Sequence, residues 1–202
     1  MSFGVQRVFV DANVFFSKCL RDWLGVLSTR PDHEPPFQVF WTEDVLAEVI
    51  YGLRRKHPEW DGVAMTKIRD KIASAFEGGR VEDFQILEHP GPDAFDAHIH
   101  SAAIACGADI LLTCNVKDFP ERDQWSYEVM KPDEFFCLVD DWSPNLVHIA
   151  VLDQVRYWRE RDGEADLPRQ AKNAELPDFA ERVRLHIPVS YTHLTLPTNR
   201  EV

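Results

Sequence analysis

Along this chain the spacing of apolar residues switches between two periods. Short unbroken apolar runs read as buried strands, and stretches with apolar residues every three or four positions read as helices. The first run, Val8-Phe9-Val10, stops at Asp11 and Asn13; Phe16, Cys19, Leu20, Trp23, Leu24 and Leu27 then predict one helix over 15–27. Thr29, Pro31 and Pro35-Pro36 break the pattern, and 37–41 (FQVFW) predicts a second strand. Thr42 is a good N-cap, with Glu43 and Asp44 at the positive end of a helix. Val45, Leu46, Val49, Ile50 and Leu53 form its inward stripe before Arg54, Arg55 and Lys56 close it.

A further helix is expected over 63–76, stopped by Gly78 and Gly79, and a short strand over 84–87. Pro90-Gly91-Pro92 marks a turn before a helix over 95–106, which Gly107 ends. Ile110-Leu111-Leu112-Thr113 is the plainest buried strand and 128–130 a brief one, after which Lys131-Pro132 opens another helix. Beyond Asp141 a helix over 146–161 leads into a charged segment expected to pack loosely. Strands alternating with helices are the signature of βαβ units and a parallel sheet.

In open α/β sheets ligands bind in the crevice at the carboxyl ends of the strands. An Asp at the tip of the first strand is therefore placed for chemistry, with capping of the next helix as its competing role. Three more carboxylates fall at comparable positions. Glu48, seven residues after Trp41, sits at the border of its helix's apolar stripe, where a carboxylate reaches a crevice without being buried unpaired. Asp96 lies near the start of the 95–106 helix, where the dipole favours its ionised form, and Asp118 follows the 110–113 strand. A solvated helix edge, a helix-start charge or a turn explains any one of them. Parallel topology would gather all four on one edge of the sheet.

With 202 residues, 45% hydrophobic and 28% charged, the chain can bury a core as one domain with an appendage. No run of about 18 apolar residues suggests a membrane span. The start, MSFGVQRVFVD, lacks signal-peptide features, so a cytoplasmic location is expected. Cys19, Cys106, Cys114 and Cys137 show no CxxC spacing and are read as buried reduced thiols. A net charge of -12 argues against a broad basic nucleic-acid face. Carboxylates that hold divalent ions would regain two positive charges per ion. The tail 189–202 (VSYTHLTLPTNREV) resembles a translated transposon end used in preparing DNA sequencing libraries, and is expected to be non-native.

Four segments carry a family resemblance. They are Val8-Phe9-Val10-Asp11-Ala12-Asn13, Trp41-Thr42 through Glu48-Val49, Asp96-Ala97-His98 with Ala102-Ala103, and Gly107-Ala108-Asp109 through Thr113-Cys114-Asn115-Val116-Lys117-Asp118-Phe119. In this order they resemble a PIN domain, the family of metal-dependent nucleases that includes VapC-type toxins of bacterial toxin–antitoxin pairs. The likeness covers about residues 5–140 and includes Lys131-Pro132 through Phe135-Phe136. It implies an α/β fold, a three-layer α/β/α sandwich with a central parallel sheet, over 1–140, followed by a C-terminal helical extension over 141–188.

The resemblance further implies Mg²⁺- or Mn²⁺-dependent cleavage of RNA, with Asp11, Glu48, Asp96 and Asp118 as a catalytic and metal-ligating quartet. Mg²⁺ prefers hard oxygen ligands, and a divalent ion makes water a better nucleophile toward phosphorus. Many members have an Asp where this chain has Asn115, which leaves one charge fewer for a second ion; Asn115 could ligate through its carbonyl oxygen. Asn13 and Thr113 would orient the ligands from behind. Lys117, Arg54, Arg55 and Lys56 are candidate phosphate contacts, although a solvated helix end explains the last three equally well. A separate antitoxin protein and a homodimer are implied by the family alone.

His98 and His100 lack the i, i+4 spacing of paired zinc ligands, so hydrogen-bonding roles are expected, with His100 placed to pair with Asp96. Trp41 is read as core, with stacking on an RNA base as the alternative. Two other functions compete. One is a haloacid-dehalogenase-like phosphatase with Asp11 as nucleophile, weakened because Asn13 stands where such enzymes carry a second Asp. The other is an inactive RNA-binding module on the same fold.

Overall fold

The first apolar run forms strand β1 (Gln6–Val10), with Val8, Phe9 and Val10 wholly buried. The computed structural model describes residues 4–88, 91–120, 125–162 and 165–188. After β1 come α1 (Ala12–Phe16), α2 (Lys18–Ser28), β2 (Phe37–Phe40), α3 (Glu43–Lys56) and α4 (Gly62–Ala75). They are followed by α5 (Ala97–Ala105), β3 (Ile110–Leu112), β4 (Glu128–Met130), α6 (Pro132–Trp142), α7 (Pro144–Asp162), α8 (Leu167–Asn173) and α9 (Pro177–His186). The chain divides into two compact units, Met1–Phe135 and Phe136–Val202. No helix among the described residues is long and apolar enough to cross a membrane.

The first unit is α/β, built on a four-stranded parallel sheet in the order β2-β1-β3-β4. The central strands are continuous apolar runs because a parallel sheet is covered on both faces. From β1 the chain moves to β2 on one side and later returns to β3 on the other. A topological switch point therefore lies between β1 and β3. Val10 and Leu112 pair there in register, and the Asp11 N–H donates to Leu112 O at 3.0 Å.

Thr42 caps α3 as expected, its Oγ1 accepting the Val45 N–H at 3.2 Å. The single helix expected over 15–27 is two helices. Ser17 is extended and caps α2 through Leu20 N–H, while the Arg21 guanidinium donates to the carbonyls of Phe15 and Phe16 at the end of α1. A cation at those carbonyls stabilises a helix end inside an otherwise periodic stretch. The strand expected over 84–87 does not form; the Leu87 N–H instead donates to Ser101 Oγ on α5 at 2.8 Å. At the β2 edge, Trp41 pairs with the 79–81 segment, and a Cβ on Gly79 would sit 1.7 Å from Val39 O. Only glycine permits that approach.

In the second unit, the charged segment expected to pack loosely forms α8 and α9. Asp166 caps α8 and Pro177 opens α9, in the first-turn position where its missing N–H costs nothing. Leu176, Phe179, Ala180 and Val183 are fully buried, and the Phe179 ring lies 5.2 Å from that of Phe136. Arg182 bridges Asp140 and Asp141, and His186 Nε2 reaches Asp140 Oδ1 at 2.7 Å. The tail 189–202, expected to be non-native, lies outside the described residues.

Candidate active site

Asp11 and Thr113 emerge side by side from the tips of β1 and β3. The Thr113 hydroxyl donates to Asp11 Oδ2 at 2.6 Å, and Asn13 Nδ2 donates to the same oxygen at 2.5 Å. Asn13 Nδ2 also reaches Thr113 Oγ1 at 3.0 Å, while Asn13 Oδ1 accepts the Cys114 N–H at 2.9 Å. The Asn115 N–H completes the net by donating to Thr113 Oγ1 at 3.0 Å. Asp11 precedes α1 but makes no side-chain cap bond to it. Its carboxylate is aimed sideways, across the switch point.

The other three carboxylates arrive from α3, from the start of α5 and from the turn after β3. Asp11 is nearly buried, and burial raises its pKa; hydrogen bonding, first of all from the Thr113 side chain, opposes the rise, and the charge of Glu48 adds to it. Asp96 is pushed up to about 7, first by burial and then by the charges of Asp11, Asp118 and Asp93. Its Oδ2 is buried with no hydrogen-bond partner among the described residues. Asp118 lies on the single 3-10 turn Val116–Asp118 and accepts a hydrogen bond from Asn115 Nδ2. All four predicted carboxylates are thus coupled in one electrostatic field.

Glu48 Oε1 stands 2.9 Å from His98 Nε2. Burial alone would lower the His98 pKa; the hydrogen bond and charge of Glu48, with Asp44 and Asp11, more than reverse it, and the net shift is upward. His98 therefore holds its proton more tightly than a free imidazole does, beside the carboxylates. Sequence reading left its partner open. The available signal was its place two residues after Asp96, near the start of the same helix.

Among the described residues, no three His, Cys, Asp or Glu side chains stand together as a ready-made metal-ligand set. Glu48 and Asp118 lie near enough to raise the proton affinities of Asp11 and Asp96 respectively, without the four enclosing a cage. No family model, curated protein or solved structure matches this chain. The chemistry of these side chains is the guide to function.

The candidate cations divide. Arg54 is half-buried and donates to Trp60 O, locking the turn between α3 and α4. Arg55, Lys56 and Lys117 are exposed, and Arg55 lies over the Tyr51 ring. Trp41 is 1% exposed and donates through Nε1 to Phe76 O at 2.9 Å, which makes it core and excludes base stacking. His100 bonds the Tyr127 hydroxyl at 2.6 Å rather than Asp96. The four cysteines are thiols rather than disulfides, but Cys114 is exposed and the other three are only half-buried, which corrects the expectation of burial. Cys114 follows Thr113 directly, where the chain leaves the buried strand.

Proposed function

We propose that this chain is a metal-dependent endoribonuclease of PIN type, its first unit a three-layer α/β/α sandwich, acting as the toxin of a toxin–antitoxin pair. The observation that carries the reading is the coupling of Asp11, Glu48, Asp96 and Asp118 at the β1/β3 switch point, with Asp96 pushed up to about 7 and one of its oxygens lacking a hydrogen-bond partner among the described residues. Carboxylates concentrated this way repel one another, and a hard divalent cation relieves the repulsion. All-oxygen donors suit Mg²⁺ or Mn²⁺. An open donor set fits as well, because Mg²⁺ is commonly held by one or two carboxylates plus substrate phosphates and keeps several waters.

Of Asp11, Glu48, Asp96 and Asp118, one or two would hold the ion directly and the others through its waters, with the Asn115 carbonyl oxygen as a further donor. Bound there, the ion would activate water toward phosphorus and offset the charge of the leaving oxygen. Thr113 and Asn13 keep Asp11 aimed, and His98 fixes Glu48. Lys117, Arg55 and Lys56 offer positive charge to the RNA backbone.

Purified protein incubated with end-labelled RNAs and Mg²⁺ or Mn²⁺ is expected to yield fragments that vanish with chelator and in Asp11→Asn. Well-folded protein giving no product above the chelated control, across several RNAs, overturns the reading. Retention of RNA without product would instead favour the inactive binding module, and hydrolysis of a simple phosphomonoester the phosphatase.

A further inference from the structure

We propose that Phe95 and Tyr51 are the residues on which bases of the bound strand stack as its backbone crosses the carboxylates; this rests on the ribonuclease reading above. Isolated apolar side chains on a surface are ordinary. Phe95 is not isolated from the chemistry. It is 84% exposed, the most of any large hydrophobic among the described residues, and it immediately precedes Asp96. Its backbone is held in place: Asp93 Oδ1 accepts the Phe95 N–H at 2.9 Å and Asp93 O accepts the Asp96 N–H at 3.2 Å. These bonds close the 3-10 turn Ala94–Asp96 that leads into α5. A displayed ring on a fixed backbone loses little freedom when a flat partner covers it.

Tyr51 occupies the matching place on α3. Glu48 and His98 join the two helices at 2.9 Å, and Tyr51 lies three residues after Glu48 while Phe95 lies three before His98. Each aromatic is thus about one helical turn from that junction. Tyr51 is 65% exposed, and the Arg55 guanidinium lies 5.8 Å from its ring centroid. Glu48, Tyr51 and Arg55 share one face of α3, which runs from carboxylate to aromatic to cation. A nucleotide strand presents the complementary order of scissile phosphate, base and next phosphate.

Net charge strengthens the case. At -12 the protein as a whole repels a polyanion, so uncharged stacking is a source of affinity that the field does not oppose. Stacking accepts any base, because every base has a π-face. Such a platform selects unpaired strand over duplex, whose base faces are already covered.

The test uses a labelled oligoribonucleotide, single-stranded or annealed to its complement, bound to full-length protein carrying Asp11→Asn to prevent cleavage. Phe95→Ala is expected to weaken single-strand affinity about 5- to 150-fold and leave duplex affinity unchanged. In the active protein it should raise KM more than it lowers kcat. Phe95→Trp should restore affinity and Phe95→Leu should not; Tyr51→Ala should weaken it and Tyr51→Phe retain it. Because Phe95 is exposed, melting curves should superimpose. If the protein cleaves RNA but Phe95→Ala binds it normally, the platform is wrong and the nuclease stands. The same holds if Phe95→Leu binds like wild type, or if Phe95→Ala changes only self-association. If wild type neither binds nor cleaves RNA, the ribonuclease reading falls and the platform with it.

Discussion

The Thr113 hydroxyl lies 2.6 Å from Asp11 Oδ2, joining the tips of β1 and β3 through a single proton. The hydroxyl oxygen in turn accepts hydrogen bonds from Asn13 Nδ2 and the Asn115 N–H. Thr113→Val keeps the shape and removes all three interactions in a fully buried position. It should cost about 1–3 kcal/mol of stability, read by urea unfolding, and impair cleavage. Thr113→Ser should retain both. A Val variant as stable and active as wild type would show that Asp11 needs no such support.

Asp11→Asn and Asp96→Asn test ligation with little change of shape. Each removes one negative charge from a site where Asp11, Asp118 and Glu48 already push proton affinities upward. Cleavage and metal affinity should fall severely, while melting temperature holds or rises in metal-free buffer because repulsion is relieved. Glu48→Gln should behave alike, and Asp118→Asn more mildly. Undiminished metal-dependent cleavage by Asp11→Asn would end the proposal.

The raised pKa of Asp96 has a direct consequence for stability. Its value moves from 3.8 to about 7 in the folded protein, so folding takes up a proton between those limits. Stability of the metal-free protein therefore falls as pH rises through that window and levels off above it. His98, also raised, acts in the same direction, since its contribution is lost as pH rises through its folded pKa. The melting-temperature gap between Asp96→Asn and wild type should open as pH climbs from about 4 to about 7, and Mg²⁺ should narrow it. A gap independent of pH would contradict the burial and charge assigned to Asp96.

Two glycines should respond in opposite ways to alanine. At Gly79 a Cβ would meet the Val39 carbonyl at 1.7 Å, whereas at Gly25, inside α2, nothing lies within 4 Å. Gly79→Ala should destabilise by at least about 1–3 kcal/mol, since backbone rather than a side chain must yield. Gly25→Ala should stabilise by about 0.5–1 kcal/mol through helix propensity. Thermal melts that rank them the other way would refute the packing at the β2 edge.

Neutralising Arg55 and Lys56 should weaken RNA binding and flatten its dependence on salt in proportion to the number of phosphates these two side chains neutralise. Arg54, tied to Trp60 O, should instead matter for stability when changed to Ala. An unchanged salt slope for the Arg55 and Lys56 double variant would leave them as a solvated helix end.

Local pattern carried much of this architecture. Val8-Phe9-Val10 and Ile110-Leu111-Leu112 are legible as strands because a central parallel strand must be apolar on both faces. Helix α3 is legible down to its cap, since Thr42, its acidic first turn and its basic last turn all act within one or two helical turns. Elsewhere a distant group overrides local preference. The apolar spacing over 15–27 runs on through Ser17, and it is Arg21, folding back onto Phe15 and Phe16, that stabilises the end of α1. The 84–87 run has strand-like residues, yet Ser101 on α5 takes the Leu87 N–H.

For the site, the same division holds. Sequence spacing was enough to set Asp11, Glu48, Asp96 and Asp118 at element ends, because those ends are local events. Pairing β1 with β3 brings Asp11 against Thr113 across 102 residues of chain, and no local pattern encodes that neighbour. Nor could spacing show that Glu48 is held by His98, or that Asp96 gains a proton near neutrality. Burial and summed charge depend on everything packed around a group, so they exist only once the strands and helices have assembled.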